Sequence, residues 1–262
     1  MAADPFAGLV SRALGIQVER VARERVSRDE EVAGAETERV RWRAGDDTGS
    51  LLFRRYPTKG AIEAALLPLL ARRGAPVPQV LASGVPPRHA AEARPWLLTR
   101  DPGVSPATRA EAVSAVAAAR AAVARDTTTL VSLGVPRLAA SRIRDEALWS
   151  EELLDEKTLA GVRRLASELD AARLDATDLG LVHGALDLES AIASEVGKTV
   201  LIAWSRAHLG SVLVDDPGSD PDGRRLATLF AIRWYAWEAR EMLRPRPRAA
   251  ALVRAALERY TR

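Results

Sequence analysis

The sequence predicts an α+β protein with two lobes, a small antiparallel-sheet lobe over residues 1–100 and a larger, mainly helical lobe over residues 101–262. Three observations support this fold class. Residues 37–44 alternate apolar side chains with arginine, which is typical of a half-buried strand. After Pro106 the chain is rich in alanine, and its apolar residues recur at helical spacing. Within this helical half, residues 190–203 have the pattern of a β-hairpin.

Spacing also indicates the elements of the first lobe. Apolar residues predict a short amphipathic helix within residues 1–16, whereas residues 16–26 are ambiguous between strand and helix. A helix predicted at 61–73 has leucines on one face and ends at Gly74. The remaining elements are a strand at 37–44, a turn at 45–49, a strand at 50–56, and further strands within 75–84 and 93–103.

The second lobe is predicted to be helical around one hairpin. The hairpin strands are residues 190–194 and 199–203, joined by a turn around Gly197. Pro245 and Pro247 are expected to interrupt the last helices, because proline lacks the N–H that continues a helix. The predicted helical segments are 108–125, 146–170, 224–243 and 249–260.

Composition excludes several classes of function. The chain has 262 residues, a net charge of +3, and 35 arginines against 3 lysines. Acidic residues are interleaved with basic ones almost everywhere, so no nucleic-acid partner is expected. The absence of cysteine excludes disulfides, thiol catalysis and thiolate metal sites. No apolar run reaches the roughly 18 residues that cross a bilayer, and the N-terminus is unlike a signal peptide, so we expect a cytoplasmic protein without a membrane partner.

The segment from Leu181 to Asp215 contains the clearest motif. An apolar run leads into His183-Gly184, and two strand-like segments follow. This spacing resembles the aminoglycoside phosphotransferase and choline kinase-like family, whose pattern reads His-Gly-Asp, then Asn five residues after that Asp, then Ile-Asp-Trp or Ile-Asp-Leu. The resemblance implies a bilobal protein kinase-like fold with a hinge near residues 99–103.

When the chain is matched to this pattern from His183, alanine and serine stand at the positions of the family's catalytic and metal-binding residues. Phosphoryl transfer requires a carboxylate that accepts the hydroxyl proton, and Mg²⁺ held by oxygen ligands. The resemblance implies that Ala185 stands at the position of the base, Ser190 at that of the asparagine, and Ala203 at that of the metal-binding aspartate. A methyl group can neither accept a proton nor bind a metal, so no metal site is predicted. Asp187 and Glu189 are nearby carboxylates that could replace the base, with a solvated loop position or a turn cap as the alternative.

The candidate nucleotide cleft and hinge involve four further residues. The resemblance implies that Arg54 replaces the phosphate-contacting lysine of the third strand and that Glu63 on the next helix is its partner. Thr99 and Asp101 are candidates for the cleft and hinge. Arginine keeps the positive charge of lysine but has a planar head. The alternative is that Arg54 and Glu63 form a surface ion pair of little energetic value.

Other residues of the second lobe are assigned to structure. His183 is expected to hydrogen-bond within its loop, and Asp215 to accept hydrogen bonds that brace the loop. Trp234, Trp237 and Glu238 recur at helical spacing where relatives bind their acceptor. They are therefore either an acceptor-binding stripe or part of the core.

Three functional hypotheses follow. The first is a catalytically impaired member of the family, a pseudokinase, that acts as a binding or scaffolding module for a small molecule or a protein. Its cleft could hold ATP or ADP without Mg²⁺, a metabolite, or nothing. The second is ATP-dependent phosphorylation of a small hydroxyl compound that uses Asp187 or Glu189. The third is a structural role through protein contacts, which predicts a cleft closed by side chains and an exposed apolar patch.

Overall fold

The computed structural model has a β-rich first lobe followed by a helical second lobe. It describes residues 5–26, 35–57, 62–84, 94–103, 105–176, 179–186, 190–194, 197–241 and 243–261. One hydrophobic cluster contains Leu66 and Leu70 before residue 100 as well as Ala112 and Leu181 after it. The lobe boundary at residue 100 therefore stays a prediction, because the core is continuous across it. In the described ranges, no helix is both long and apolar enough to cross a bilayer.

The first lobe is built on one antiparallel sheet of five strands. The elements of this lobe are α1 (Pro5–Leu14), β1 (Arg20–Val26), β2 (Glu36–Ala44), β3 (Asp47–Arg55), α2 (Ile62–Arg72), β4 (Val80–Gly84) and β5 (Trp96–Arg100). The strands lie in the order β1-β2-β3-β5-β4 across the sheet. The segment whose sequence was ambiguous between strand and helix forms the edge strand β1.

The turn between β2 and β3 is shorter than the sequence predicted. Ala44 pairs with Asp47, so only two residues, Gly45 and Asp46, connect the strands. The prediction of a turn over 45–49 was wrong because Gly49 was read as a turn residue. It lies in β3 opposite Trp42, and a Cβ at Gly49 would stand 2.7 Å from the Trp42 ring. Glycine is needed there to accommodate an indole, not to turn the chain.

The predicted N-terminal helix is confirmed as α1 and covers one end of the sheet. Its Val10 is fully buried against Val40, Leu51 and Leu98 of the strands. Phe6 packs edge-on against Phe53 of β3, with ring centroids 4.9 Å apart. The apolar face that the helical spacing predicted is therefore the face that packs on the sheet.

The second lobe consists of helices around two small β units. Residues 148–152, 204–206 and 212–214 form short 3₁₀ turns. The other elements are α3 (Arg109–Ala122), α4 (Thr127–Ser132), β6 (Arg137–Leu138), α5 (Ala140–Ala147), α6 (Glu156–Glu168), α7 (Ala171–Asp175), β7 (Leu179–Val182), β8 (Ala191–Ala193), β9 (Thr199–Leu201), β10 (His208–Ser211), α8 (Pro221–Arg240) and α9 (Arg246–Thr261).

Two helix predictions for this lobe need correction. Residues 146–170 do not form one helix. The helix α6 begins after Asp155, whose side chain caps its N-terminus by accepting the N–H of Thr158. The last helix begins at Arg246 rather than at residue 249. Pro247 lies in its first turn, where the N–H has no partner within the helix, so proline fits there. Of the two prolines, only Pro245 lies in the segment between α8, which ends at Arg240, and α9.

The β units of the second lobe position the candidate site. β10 pairs with β6 in parallel and with β7 in antiparallel orientation. β8 and β9 form the predicted hairpin, and the turn residue Gly197 has φ +71°. β7 ends at Val182, so the chain leaves this small sheet directly into His183 and Gly184.

The aromatic stripe of α8 belongs to the core. Trp234 is buried and packs on Trp237, with ring centroids 4.9 Å apart. Glu238 is fully buried, and its Oε2 accepts the Nε–H of Arg244 at 2.5 Å. Of the two interpretations that the sequence left open, the core interpretation fits these contacts.

Candidate functional site

The loop after β7 is held by one buried carboxylate. The Oδ2 of Asp215 accepts the N–H of His183 at 2.7 Å, and its Oδ1 accepts the N–H of Gly184 at 2.8 Å. The predicted bracing role of Asp215 is thereby confirmed. Burial raises the pKa of Asp215 above its usual range, against the opposing effects of His183 and of these backbone donors. Both N–H groups are buried, so they need this acceptor.

Gly184 allows the loop to pass close to its neighbours. Its φ is +76°, in the left-handed region that favours glycine. A Cβ at this position would lie 2.7 Å from the carbonyl oxygen of Arg206 and 2.9 Å from the ring of Phe230. The glycine therefore lets the loop approach the turn at 204–206 and the middle of α8.

His183 links the loop to the hairpin. Its Nδ1 accepts the N–H of Ala185 at 3.2 Å, so in the neutral ring Nε2 carries the proton. Nε2 then donates to the carbonyl oxygen of Ile202 at 2.8 Å. The predicted hydrogen bonding of His183 within its loop is confirmed, and the same ring also holds the residue that precedes Ala203.

Ser190 and Ala203 are brought together by the hairpin. The Ser190 carbonyl accepts the N–H of Ile202 at 2.8 Å, so Ser190 lies across from the residue that precedes Ala203. Ala203 has φ +64° and ψ +48°, and it is the one non-glycine residue at positive φ in the described ranges. Alanine has no side-chain hydrogen bond to stabilise this conformation, which asparagine and aspartate adopt more readily.

These positions do not fit a Mg²⁺ site. Mg²⁺ is bound by carboxylates, waters and phosphate oxygens. Ser190 offers a hydroxyl group, while Ala185 and Ala203 offer no ligand. Across the part of the chain that the structure describes, no group of three His, Asp or Glu side chains could hold a metal. The substitute candidates Asp187 and Glu189 lie outside the described residues.

The predicted pair of Arg54 and Glu63 is present and buried. Arg54 Nη1 lies 2.8 Å from Glu63 Oε1, and the two side chains are 9% and 1% exposed. Glu63 Oε2 accepts the hydroxyl of Ser205 at 3.0 Å. The alternative of a surface ion pair is wrong. The carboxylate instead connects β3, α2 and the turn that follows Ala203.

The structure brings Thr99 to this pair but places Asp101 elsewhere. Thr99, Arg54 and Glu63 line a cavity of about 10 Å³. Asp101 Oδ2 accepts Arg39 Nε–H at 2.6 Å and the hydroxyl of Ser50 at 2.8 Å, and its Oδ1 accepts Gly103 N–H at 3.1 Å. Burial alone would raise the pKa of Asp101, but these hydrogen bonds outweigh burial and hold the pKa below its usual range. Asp101 therefore fixes the hinge segment to the sheet.

A larger cavity lies beside Ala185, which is one of its lining residues. It has a volume of about 830 Å³ and lies between the loop at 184–186 and the helices α8 and α9. We call it the arginine pocket, because its lining includes Arg109, Arg164, Arg206, Arg224 and Arg259. Sequence reasoning missed these residues: arginine is so frequent in this chain that no single one stood out. Arg206 could have been singled out from the sequence, because it lies two residues after Trp204 in the segment that contains the motif.

A buried histidine beside this pocket predicts acid sensitivity. His208 is fully buried, stacks on Phe230 at 4.6 Å, and has its Nδ1 3.1 Å from the Arg206 carbonyl. Burial lowers the pKa of His208 to about 4, with Arg233 adding to the effect. The unfolded chain takes up this proton near pH 6.5 and the folded chain only near pH 4, so acidification favours unfolding. Between these pH values we expect His208 to cost about 3 kcal/mol of stability.

Urea unfolding at pH 7 and at pH 4.5 checks this expectation against the variant His208→Asn. Asparagine can keep the hydrogen bond to the Arg206 carbonyl but does not titrate. The variant is expected to lose less stability than the wild type on acidification. An equal loss in both proteins would contradict the role given to His208.

Comparison with known proteins identifies the family. The sequence profile of the phosphotransferase enzyme family matches residues 30–216, which is more than two thirds of the chain. The chain belongs to this family. No curated protein sequence matches the chain.

Solved structures agree with this membership. A thermostable mutant of aminoglycoside phosphotransferase APH(4)-Ia, in ternary complex with AMP-PNP and hygromycin B, superposes with a TM-score of 0.62 over 98% of each chain at 14% identity. Spectinomycin phosphotransferase APH(9)-Ia, in complex with ADP and spectinomycin, gives 0.60 over 100% of this chain and 98% of its own at 10% identity. The Plasmodium vivax ethanolamine kinase gives 0.56 over 90% and 81% at 10% identity. The predicted α+β, bilobal kinase-like fold is thus confirmed for this phosphotransferase-family chain.

Proposed function

We propose that this phosphotransferase-family chain is a pseudokinase that acts as a binding or scaffolding module. One observation carries the proposal: methyl groups occupy positions 185 and 203, while the described residues around them are held by buried hydrogen bonds from Asp215 and His183. A positioned general base contributes about 10²–10⁴-fold to a reaction rate. Without a carboxylate at position 203, the metal that neutralises the phosphates also loses its main protein ligand.

The polar groups that remain serve structure. Asp215 holds the loop, His183 holds the hairpin, and Glu63 joins the lobes through Arg54 and Ser205. None of these contacts supplies a base or a metal ligand at position 185 or 203. The retained geometry therefore supports binding better than it supports chemistry.

A nucleotide in the cleft is proposed to bind independently of Mg²⁺. Arg54 is already paired with Glu63 at 2.8 Å. The cavity that this pair lines with Thr99, about 10 Å³, has room for roughly one water molecule. Phosphates near Arg54 would have to compete with the carboxylate of Glu63.

A second candidate function is ATP-dependent phosphorylation of a small hydroxyl compound with a non-standard base. The buried pair of Arg54 and Glu63 favours it, because kinases need such a pair to place the phosphates. The base would have to come from Asp187 or Glu189. The aminoglycosides and ethanolamine named for the similar structures are then candidate acceptors.

Thermal unfolding with ATP or ADP, each with and without Mg²⁺, tests the proposal together with an assay for ADP release. We expect no Mg²⁺-dependent stabilisation and no turnover with the wild-type chain. A nucleotide at about 100 times its dissociation constant would add roughly 2.7 kcal/mol, which is easily measured. A Mg²⁺-dependent shift, or ADP release that depends on an acceptor, would overturn the proposal in favour of the second candidate.

The matched control restores the family residues with Ala185→Asp, Ser190→Asn and Ala203→Asp. Aspartate tolerates the left-handed backbone at position 203 better than alanine does. We expect this triple variant to gain a Mg²⁺-dependent shift with ATP. That gain would demonstrate that the assay detects a competent cleft when one is present.

A further inference from the structure

The arginine pocket has the size and shape of a small-molecule site. Its volume of about 830 Å³ lies within the range of roughly 300–1,000 Å³ that ligand pockets occupy. The loop residues Gly184, Ala185 and Leu186 form one wall, and α8 and α9 form the opposite walls. All of its lining residues belong to the described part of the chain.

The charge of the lining is strongly positive. Five arginines face one carboxylate, that of Asp215. Both oxygens of Asp215 already accept backbone N–H groups from the loop. Asp215 Oδ2 also lies 3.8 Å from Arg120, which is outside the pocket. Its single negative charge is shared with that arginine and is outnumbered by the five arginines of the lining.

Arg206 is the central observation. It is only 8% exposed, and its guanidinium lies 5.3 Å from the ring of Trp234 and 5.1 Å from the ring of Tyr235. Among the described residues, no carboxylate pairs with it. A buried cation without an anionic partner is costly, and aromatic rings offset only part of that cost. An anion in the pocket would supply the missing partner.

The other four arginines of the lining differ in their partners. Arg164 on α6 forms an exposed ion pair with Glu168 at 4.0 Å. Arg109 donates to the carbonyl oxygens of Leu186 and Asp215, each at 2.5 Å, so it holds the loop. Arg224 on α8 and Arg259 on α9 are exposed, and within the described ranges neither has a carboxylate partner. They stand at the rim, where long cationic side chains can fold over a bound ligand.

We propose that the arginine pocket binds a small organic anion with more than one phosphate or carboxylate group. Arginine matches both groups, because its planar head donates two parallel hydrogen bonds to a pair of oxygens. The rings of Phe230 and Tyr235 also line the pocket and provide a surface for the carbon skeleton. The inference rests on the proposed role as a binding protein and adds the chemical class of its ligand.

Calorimetric titration tests the class of ligand with named probes. Pyrophosphate and citrate represent the phosphate and carboxylate chemistries, glucose is a neutral control, and kanamycin is a polycation. We expect binding of pyrophosphate, citrate or both, binding that weakens as salt is raised, and no binding of glucose or kanamycin. Failure of both anions to bind, or preferential binding of kanamycin, would overturn the inference.

Variants locate the binding. Arg206→Gln is expected to lower the affinity for the anion by roughly tenfold or more, since a charge-assisted hydrogen bond is lost. Because Arg206 is packed in the core and its variant could unfold, Arg224→Gln and Arg259→Gln provide exposed alternatives with a smaller expected loss of a few fold. The matched control is Arg254→Gln, also exposed on α9 but outside the pocket. Equal affinities for the pocket variants and the control would refute the assignment.

The same samples separate this inference from the proposed function. ADP release is measured with ATP, Mg²⁺ and each anion that binds. Anion binding without turnover supports both the anion-binding pocket and the pseudokinase proposal. Binding with turnover keeps the pocket and overturns only the pseudokinase proposal, whereas absence of anion binding overturns the pocket whatever the turnover.

Discussion

Glu63→Ala is expected to lower the free energy of unfolding by about 3–5 kcal/mol, the typical result of removing one partner from a buried ion pair. The substitution leaves Arg54, which is 7% exposed, without the carboxylate at 2.8 Å. The Ser205 hydroxyl loses its acceptor at the same time. Urea unfolding at pH 7 measures the loss.

Two comparisons make this result specific. Glu156→Ala removes an ion pair with Arg163 that is exposed on both sides, so its expected cost is below about 1 kcal/mol. The double variant Arg54→Met with Glu63→Leu removes both buried charges and is expected to lie close to the wild type. If Glu63→Ala costs no more than Glu156→Ala, the pair does not contribute to stability as proposed.

Asp215→Ala is expected to cost a similar 3–5 kcal/mol. It leaves two buried backbone donors, the N–H groups of His183 and Gly184, without an acceptor, at about 1–3 kcal/mol each. The loop that carries Ala185 would then lose its fixed position. Loss of anion binding in the arginine pocket should accompany the loss of stability, because the loop forms one wall of that pocket.

A graded series checks the cause. Asp215→Asn keeps one acceptor oxygen and one of the two hydrogen bonds, so its cost should fall between those of wild type and alanine. Asp216→Ala changes the neighbouring exposed carboxylate and is expected to shift stability by less than about 0.5 kcal/mol. Equal losses at 215 and 216 would contradict the role given to the buried carboxylate.

The elements that could be predicted from the sequence are those whose apolar residues recur at the spacing of a strand or a helix. The hairpin at 190–203 and the helix α1 were visible from alternation and spacing. The bracing role of Asp215 followed from its position in the motif. These predictions succeeded because the determining residues are close in sequence or occupy fixed positions in a family pattern.

Other features depend on contacts between distant segments, so the sequence did not indicate them. Gly49 accommodates an indole from the opposite strand, and only the pairing register reveals this. The burial of the Arg54 and Glu63 pair depends on packing between α2 and the turn at 204–206. The arginine pocket gathers residues from α3, α6, α8 and α9, and no local pattern distinguishes them from the many surface arginines.

The backbone at Ala203 has a left-handed conformation although its side chain is only a methyl group. Its neighbours explain this: Ile202 is bound by His183, and the buried Trp204 donates to the Leu201 carbonyl at 3.1 Å. The surrounding core, rather than residue 203, determines the conformation. A single base change converts an alanine codon to an acidic one, and the backbone at position 203 already has a conformation that aspartate tolerates. An acidic side chain at this position would therefore require no rearrangement of the fold.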